Sequence, residues 1–168
     1  MIRPARSGEL PAILPVYAEA RAFMAAHGNP TQWGTDRPSP DLLAADIAAG
    51  TLFVEEEDGA VRGAFALVAG EDPTYAVITG GAWRDLSPYL TLHRVAGVGA
   101  APGFFARCVV FALGRCPHLR CDTHRDNLPM QHALERSGFR PCGTILADDG
   151  TPRIAYEYTS PERSDPRE

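Results

Sequence analysis

The chain has no apolar run that approaches the roughly 18 residues needed to cross a bilayer. Its start, Met1-Ile2-Arg3-Pro4-Ala5-Arg6, lacks the apolar core of a signal peptide. The four cysteines, Cys108, Cys116, Cys121 and Cys142, show no CxxC pairing and no His/Cys metal spacing. No metal is therefore expected, and without a secretion signal the cysteines read as small buried hydrophobes in a reducing compartment. A surplus of positive charge is missing as well. The formal net charge of −5 argues against a general nucleic-acid-binding surface. Internal repeats and domain-splitting linkers are also absent. The expectation is a cytoplasmic protein with no membrane and no nucleic-acid partner.

What is present fits one domain. With 168 residues, 45% hydrophobic and 22% charged, the chain can build a core that needs no staples. Residues 1–160 are expected to form that single domain. Residues 161–168, dense in charge and proline, read as a disordered tail.

Periodicity and breakers give the element order. Ile2–Pro4 is a short strand, and the apolar pattern from Leu10 to Met24 keeps the helical period up to His27, with Pro15 a candidate kink. Ser39-Pro40-Asp41 opens a second helix that ends at Gly50. Thr51–Glu57 and Ala60–Val68, joined by Asp58-Gly59, read as a hairpin. Tyr75–Thr79 reads as a strand broken by Gly80-Gly81, and Tyr89–Ala96 as the next strand. After them come a helix Phe104–Arg115, a strand Leu119–Thr123 and a helix Asn127–Ser137 stopped by Gly138. A hairpin of Phe139–Ala147 and Thr151–Tyr158 ends the domain. The fold class is α/β in the mixed α+β sense: a mainly antiparallel sheet flanked by helices, with one crossover joining parallel strands.

Val95-Ala96-Gly97-Val98-Gly99-Ala100-Ala101-Pro102-Gly103-Phe104-Phe105 ends a strand, passes through small residues and opens a helix. Unpaired amides at such a helix start suit a diphosphate. This is neither a P-loop nor a clean GxGxxG, and by itself the stretch also reads as an ordinary glycine turn. Further pieces follow in register: Leu92-His93-Arg94-Val95-Ala96, Asp122-Thr123-His124-Arg125-Asp126-Asn127, Met130, and Leu134-Glu135-Arg136-Ser137-Gly138-Phe139. With the ending Asp149-Gly150-Thr151-Pro152-Arg153-Ile154-Ala155-Tyr156, the chain resembles the GNAT superfamily of N-acetyltransferases.

The resemblance implies a GNAT-like acyl-CoA N-acyltransferase fold and acetyl-CoA as co-substrate. Strand Tyr89–Ala96 would splay from strand Leu119–Thr123, and the pantetheine arm would lie in the gap against Val95, Ala96 and Gly97. The amides of Ala100, Ala101, Gly103, Phe104 and Phe105 would hold the diphosphate. Asn127 would contact the pantetheine amides, and Met130 would lie near the cofactor. The family's loop pattern, Gln/Arg-x-x-Gly-x-Gly/Ala, falls on Ala100 to Phe105. Gly103 fits it; Ala100 replaces the polar first residue, Pro102 removes an amide donor, and bulky Phe105 stands where a small residue is usual. Leu134 stands where the family often carries a general-acid tyrosine.

Amine acetylation needs a base, an oxyanion site and a proton source. His93 is the candidate base, sharing a strand face with Tyr89, Thr91 and Val95 by the two-residue period; it also reads as a structural histidine. A backbone amide near Val95 is the candidate oxyanion donor. Glu55 and Glu57 offer a second carboxylate face or a solvated edge. Asp122 and His124 alternate onto one face, as a carboxylate-oriented histidine or as turn chemistry. Tyr156 is a candidate substitute acid or a packing residue. Gln32 and Trp33, between the first two helices, are candidate acceptor-site residues, Trp33 through a cation–π contact. The Gly70–Pro73 turn and the final hairpin would complete that pocket. The partner expected is a small-molecule amine, taken by a monomer or homodimer.

Overall fold

In chain order the elements are β1 (Ile2–Pro4), α1 (Leu10–Ala26), α2 (Pro40–Ala49), β2 (Leu52–Glu57), β3 (Ala60–Ala69), β4 (Leu90–Gly97), α3 (Phe104–Leu113), β5 (His118–Thr123), α4 (Leu128–Arg136), β6 (Arg140–Leu146) and β7 (Pro152–Thr159). They come from a computed structural model that describes residues 1–100 and 102–160. The expectations for Ala101, for the side chain of Ala100 and for the tail 161–168 lie outside the described residues.

Local chemistry sets most boundaries. Ser39 Oγ accepts the Leu42 amide at 3.1 Å, Pro40 fills the first position of α2, and Gly50 ends it at φ +72°. Asn127 Oδ1 likewise accepts the Met130 amide at 3.2 Å to open α4, and Gly138 follows it at φ +89°. Asp58 and Gly59, at φ +51° and +77°, turn the first hairpin with the twist its strands require. Helix α1 runs on through Pro15 to Ala26.

The sheet order is β1-β2-β3-β4-β5-β7-β6. Every neighbouring pair is antiparallel except β4 and β5. Those two pair only at Leu90/Leu119 and Thr91/Arg120 and then part. Alternation along β2 and β3 sends Phe53 and Phe65 to one face, where they pack with Phe104, Phe105, Leu134 and Phe139 of the α3–α4 layer. Val54, Ala64 and Ala66 face the other way and are covered by Ile13, Tyr17 and Leu43 of α1 and α2.

Among the described residues no α-helix covers the β5–β7–β6 half of that second face. Residues 73–89 do so instead, through Tyr75 and Trp83 packed near Ile145 and Ala155. The same segment seals a buried charge network. Arg120 lies between the rings of Trp83 and Tyr89, 4.0 and 4.1 Å from their centroids. Glu157 beneath it bonds His118 at 2.8 Å, so the buried charges are matched.

This segment corrects one sequence expectation. Tyr75–Thr79 is not a strand: Pro73–Tyr75 is a 3-10 turn whose start is capped by Asp72, and only an isolated bridge joins Thr79 to Thr144. The Tyr75 carbonyl accepts Trp83 Nε1 at 3.0 Å, which takes the acceptor a ladder would have used. No helix among the described residues is long and apolar enough to cross a membrane.

Candidate active site

Strand β4 carries a bulge. Its register runs Ala66 to His93 and then Ala64 to Ala96, so Arg94 and Val95 together oppose Phe65. Arg94 takes φ +52°, a left-handed value that a side chain other than glycine's adopts at a cost. Two contacts hold it there. The Tyr17 hydroxyl donates to the Arg94 carbonyl at 2.7 Å, and the Arg94 guanidinium pairs with Asp46 at 2.9 Å. Burial pushes the Tyr17 phenol far above its ordinary pKa, so it stays a donor. The bulge overturns the expectation that His93 and Val95 share a face. His93 stays on the α1 side with Thr91, while Val95 turns to the α3–α4 core.

Below the bulge the parting of β4 and β5 leaves a cavity of about 950 Å³ that reaches both faces of the sheet. On the α1 side, His93 Nε2 lies 2.7 Å from Asp72 Oδ2. Burial alone would raise the Asp72 pKa, but hydrogen bonds from His93 and Thr74 bring it down to about 2. An ionised Asp72 can only accept, so Nε2 carries the hydrogen and the lone pair of a neutral ring sits on Nδ1. Beside this pair the Tyr75 hydroxyl donates to Asp122 Oδ1 at 2.7 Å. Burial raises the Asp122 pKa, and His93 opposes that rise. Two cavity hydroxyls, Thr91 Oγ1 on the α1 side and Thr123 Oγ1 on β5, are buried without a hydrogen-bond partner among the described residues.

Several residues singled out in the sequence meet on this wall: Gln32, Trp33, His93, Val95, Asn127 and Met130. Gln32 Oε1 accepts from Asn29 Nδ2 at 2.8 Å and from Asn127 Nδ2 at 3.0 Å, which ties the α1–α2 loop to the start of α4. Trp33 packs on the Tyr17 ring at 5.7 Å. The turn at Gly70–Pro73 and the β6–β7 turn at Asp148 and Asp149 also reach the wall.

The loop after β4 is a separate feature. The first bond within α3 runs from the Arg107 amide to the Gly103 carbonyl, so the amides of Phe104, Phe105 and Ala106 have no partner in the helix. The side chains of Ala96, Phe104 and Phe105 are in the core, which leaves their main chain for a ligand, the only part of them the resemblance calls on. Phe105 is large because it fills the core under α3. The Gly99 amide donates to Glu19 Oε1 at 2.6 Å, and Arg107 is clamped by Glu55 at 2.6 Å.

Three other sets of candidates lie off the cavity wall, in line with the structural alternative offered for each. Tyr156 points into the core with Leu134 and Phe139 and is not on the cavity wall; burial first, then Glu135, raises its pKa. His124 does not pair with Asp122. Its Nδ1 accepts the Asp126 amide at 3.1 Å inside the β5–α4 turn, off the cavity wall, and burial lowers its pKa. Glu55 and Glu57 line a second, separate pocket with Arg62 and Arg107 and stand away from the β4–β5 cavity.

Asp72, Tyr75, Tyr17, Asp46 and Arg94 are the site residues that sequence reasoning missed. Asp72-Pro73 was visible as a turn, but its reach to His93 depends on how residues 73–89 drape over the sheet.

No protein-family model matches the chain, and no curated protein matches it. Solved structures do. A GNAT-family acetyltransferase from Streptococcus agalactiae 2603 is 33% identical, with 96% of each chain covered and a TM-score of 0.85. One from Listeria monocytogenes 4b F2365 is 22% identical over 94% of this chain and 92% of that one, with a TM-score of 0.68. The yncA protein of Salmonella typhimurium, solved with its cofactor acetyl-CoA, is 17% identical over 99% and 96%, with a TM-score of 0.63. The last two show the fold alone.

Proposed function

We infer, from the premise that this chain belongs to the GNAT family of acetyltransferases, that it moves the acetyl group of acetyl-CoA to a primary amine of a small molecule by direct attack. The observation that carries this reading is the bulged β4 parting from β5 beside the His93–Asp72 pair. The residues present suit the co-substrate. The Thr123 hydroxyl, without a partner among the described residues, lines the α4 side of the gap, where an amide group of a pantetheine arm would satisfy it; Asn127 lines the same side with its side chain already bonded to Met130 and Gln32. The amides that open α3, without a partner inside the helix, suit its diphosphate.

Acetyl-CoA supplies the activated acyl group. His93, fixed through Nε2 by Asp72, takes the proton of the acceptor nitrogen at Nδ1. The bulge turns main chain at Arg94–Val95 out of the ladder, and an amide there stabilises charge developing on the carbonyl oxygen. Trp33 and Gln32 wall the acceptor side.

Isothermal titration with CoA, then thiol release with a panel of amines, tests the reading; no binding at millimolar CoA overturns it. The chain contains no lysine. An acetyl adduct formed on the protein by acetyl-CoA alone, away from the N-terminal amine, would therefore speak for a covalent route and against direct attack. A second reading, a CoA-binding module without turnover, is favoured by one observation: Leu134, fully buried, has no proton to give where the family often carries tyrosine. CoA binding with no thiol release would select it.

A further inference from the structure

One strand face holds Asp72 at two points. His93 Nε2 donates to its Oδ2 at 2.7 Å, and its own backbone amide donates to the Tyr89 hydroxyl at 3.0 Å. Tyr89 stands just before β4, and the two-residue period carries Tyr89, Thr91 and His93 to the same side ahead of the bulge. Thr74 occupies the other carboxylate oxygen, Oδ1, through its amide at 2.9 Å and its hydroxyl at 2.6 Å. Only Oδ2 is left to aim, and where the Asp72 main chain lies decides what it reaches.

The Tyr89 ring is itself fixed from below. The Arg120 guanidinium lies 4.1 Å from its centroid, with Trp83 at 4.0 Å on the other side. Arg120, 5% exposed, donates to the Asp85 carbonyl at 2.7 Å and stands 3.4 Å from Glu157, an ion-pair distance without the alignment of a hydrogen bond. Glu157, 2% exposed, accepts the Arg84 amide at 2.8 Å. A carboxylate of β7 therefore grips the segment 73–89 twice, by its main chain and by the arginine its rings enclose. Further along the segment, a side chain at Gly81 would collide with the Cys142 carbonyl of β6. None of Trp83, Tyr89, Arg120 and Glu157 lines the cavity. Buried ion pairs are a weak source of stability, and apolar side chains alone can pin a covering segment. What the charges and the flat guanidinium add is a defined place for one ring.

We propose that Tyr89 is a positioning residue for acetyl transfer: its hydroxyl, with its ring seated on the Arg120–Glu157 pair, sets the Asp72 main chain so that the carboxylate meets His93 Nε2 and leaves Nδ1 for the acceptor. This inference rests on the reading of His93 as the base given above.

The experiment pairs a readout of Asp72 with one of turnover, in the full chain. Carbon-13 NMR of the Asp72 carboxyl follows its ionisation from pH 5 to pH 3. Burial raises its pKa, but the bonds from His93 and Thr74 hold it near 2, so in the parent it stays ionised. Tyr89→Phe keeps the ring and loses the acceptor of the Asp72 amide; the loosened contact with His93 should let the carboxyl rise toward its ordinary 3.8. Thiol release from acetyl-CoA, with butylamine as the probe amine, should lose about three- to tenfold in kcat, the scale of one hydrogen bond, while the Kd for CoA holds. Arg120→Lys, which keeps the charge and loses the flat surface between the rings, should move both readouts the same way. Adding Tyr89→Phe to Asp72→Asn should lower kcat by less than about twofold more, because the hydroxyl acts through that carboxylate. A merely structural hydroxyl would lower Tm and leave the titration and kcat where they were. That result, or the full Tyr89→Phe loss in the double variant, overturns the inference and leaves acetyl transfer standing. If Asp72 shifts as expected but the parent releases no thiol with butylamine or any amine of the panel, the hold of Tyr89 on Asp72 is upheld and the acetyl-transfer reading falls.

Discussion

Tyr17→Phe tests whether the β4 bulge is held from outside the strand. The substitution keeps the ring against Trp33 and deletes only the hydroxyl that donates to the Arg94 carbonyl at 2.7 Å. Tyr17 is fully buried but its bond to Arg94, on the cavity wall, is only partly so, which places the loss toward the lower part of the range for a buried acceptor. An unsatisfied buried acceptor costs about 1–3 kcal/mol. The left-handed Arg94 stores about 1–2 kcal/mol more, which the hydroxyl helps to restrain. For a chain of this size each kcal/mol moves Tm by roughly 2–4 °C, so a drop of about 2–12 °C is expected. Scanning calorimetry reads it directly. Hydrogen exchange of the Arg94 and Val95 amides should quicken more than that of β7, and kcat should fall while the Kd for CoA holds. A variant that melts within about one degree of the parent, with unchanged exchange at Val95, would refute the reasoning, since Tyr17 would then not be what holds the bulge.

His93→Gln keeps a polar side chain but loses the proton acceptor; kcat should fall by about 10²-fold or more with little change in CoA binding, read by thiol release. Asp72→Asn reports on pH. The native carboxyl titrates near 2, below its ordinary 3.8, so its contribution is full above the unfolded value and is lost as pH falls toward 2. Urea melts from pH 5 to pH 3 should therefore show the parent losing about 1–2 kcal/mol more stability than the variant, and parallel profiles would contradict this. Gly63→Ala would set a methyl 2.5 Å from the Phe104 ring, forcing the first turn of α3 off β3. A loss of about 1–3 kcal/mol is expected in a denaturant melt, with weaker CoA binding; a variant as stable as the parent would show that α3 has slack there.

Much of the architecture was legible because its signals are local. Ser39-Pro40, Asp58-Gly59, Asn127 and Gly138 each act on the few residues beside them, and the structure puts caps and turns where they stand. The family pattern gave the parting of β4 from β5. The unreadable parts depend on partners distant in sequence. Nothing near Arg94 announces a left-handed residue, because the hydroxyl that holds it belongs to α1, 77 residues earlier. The two-residue alternation that put His93 and Val95 together was sound until that bulge. Tyr75–Thr79 has a strand's composition, yet Tyr75 is used as a plug over β6 and β7. Asp72 gains its meaning only from His93, 21 residues later on β4.

The two bridging pairs between β4 and β5 have a mechanical consequence. A seven-stranded sheet joined so briefly at its middle behaves as two plates with a short weld, β1–β4 on one side and β5–β7 on the other. Its weakest line runs through the interior, where the free edges of β4 and β5 face each other without a partner strand. Thermal opening should begin along that seam and not at the outer strands. Whatever lies in the gap supplies the missing rungs, stiffening both plates at once and turning two loosely coupled melting units into one.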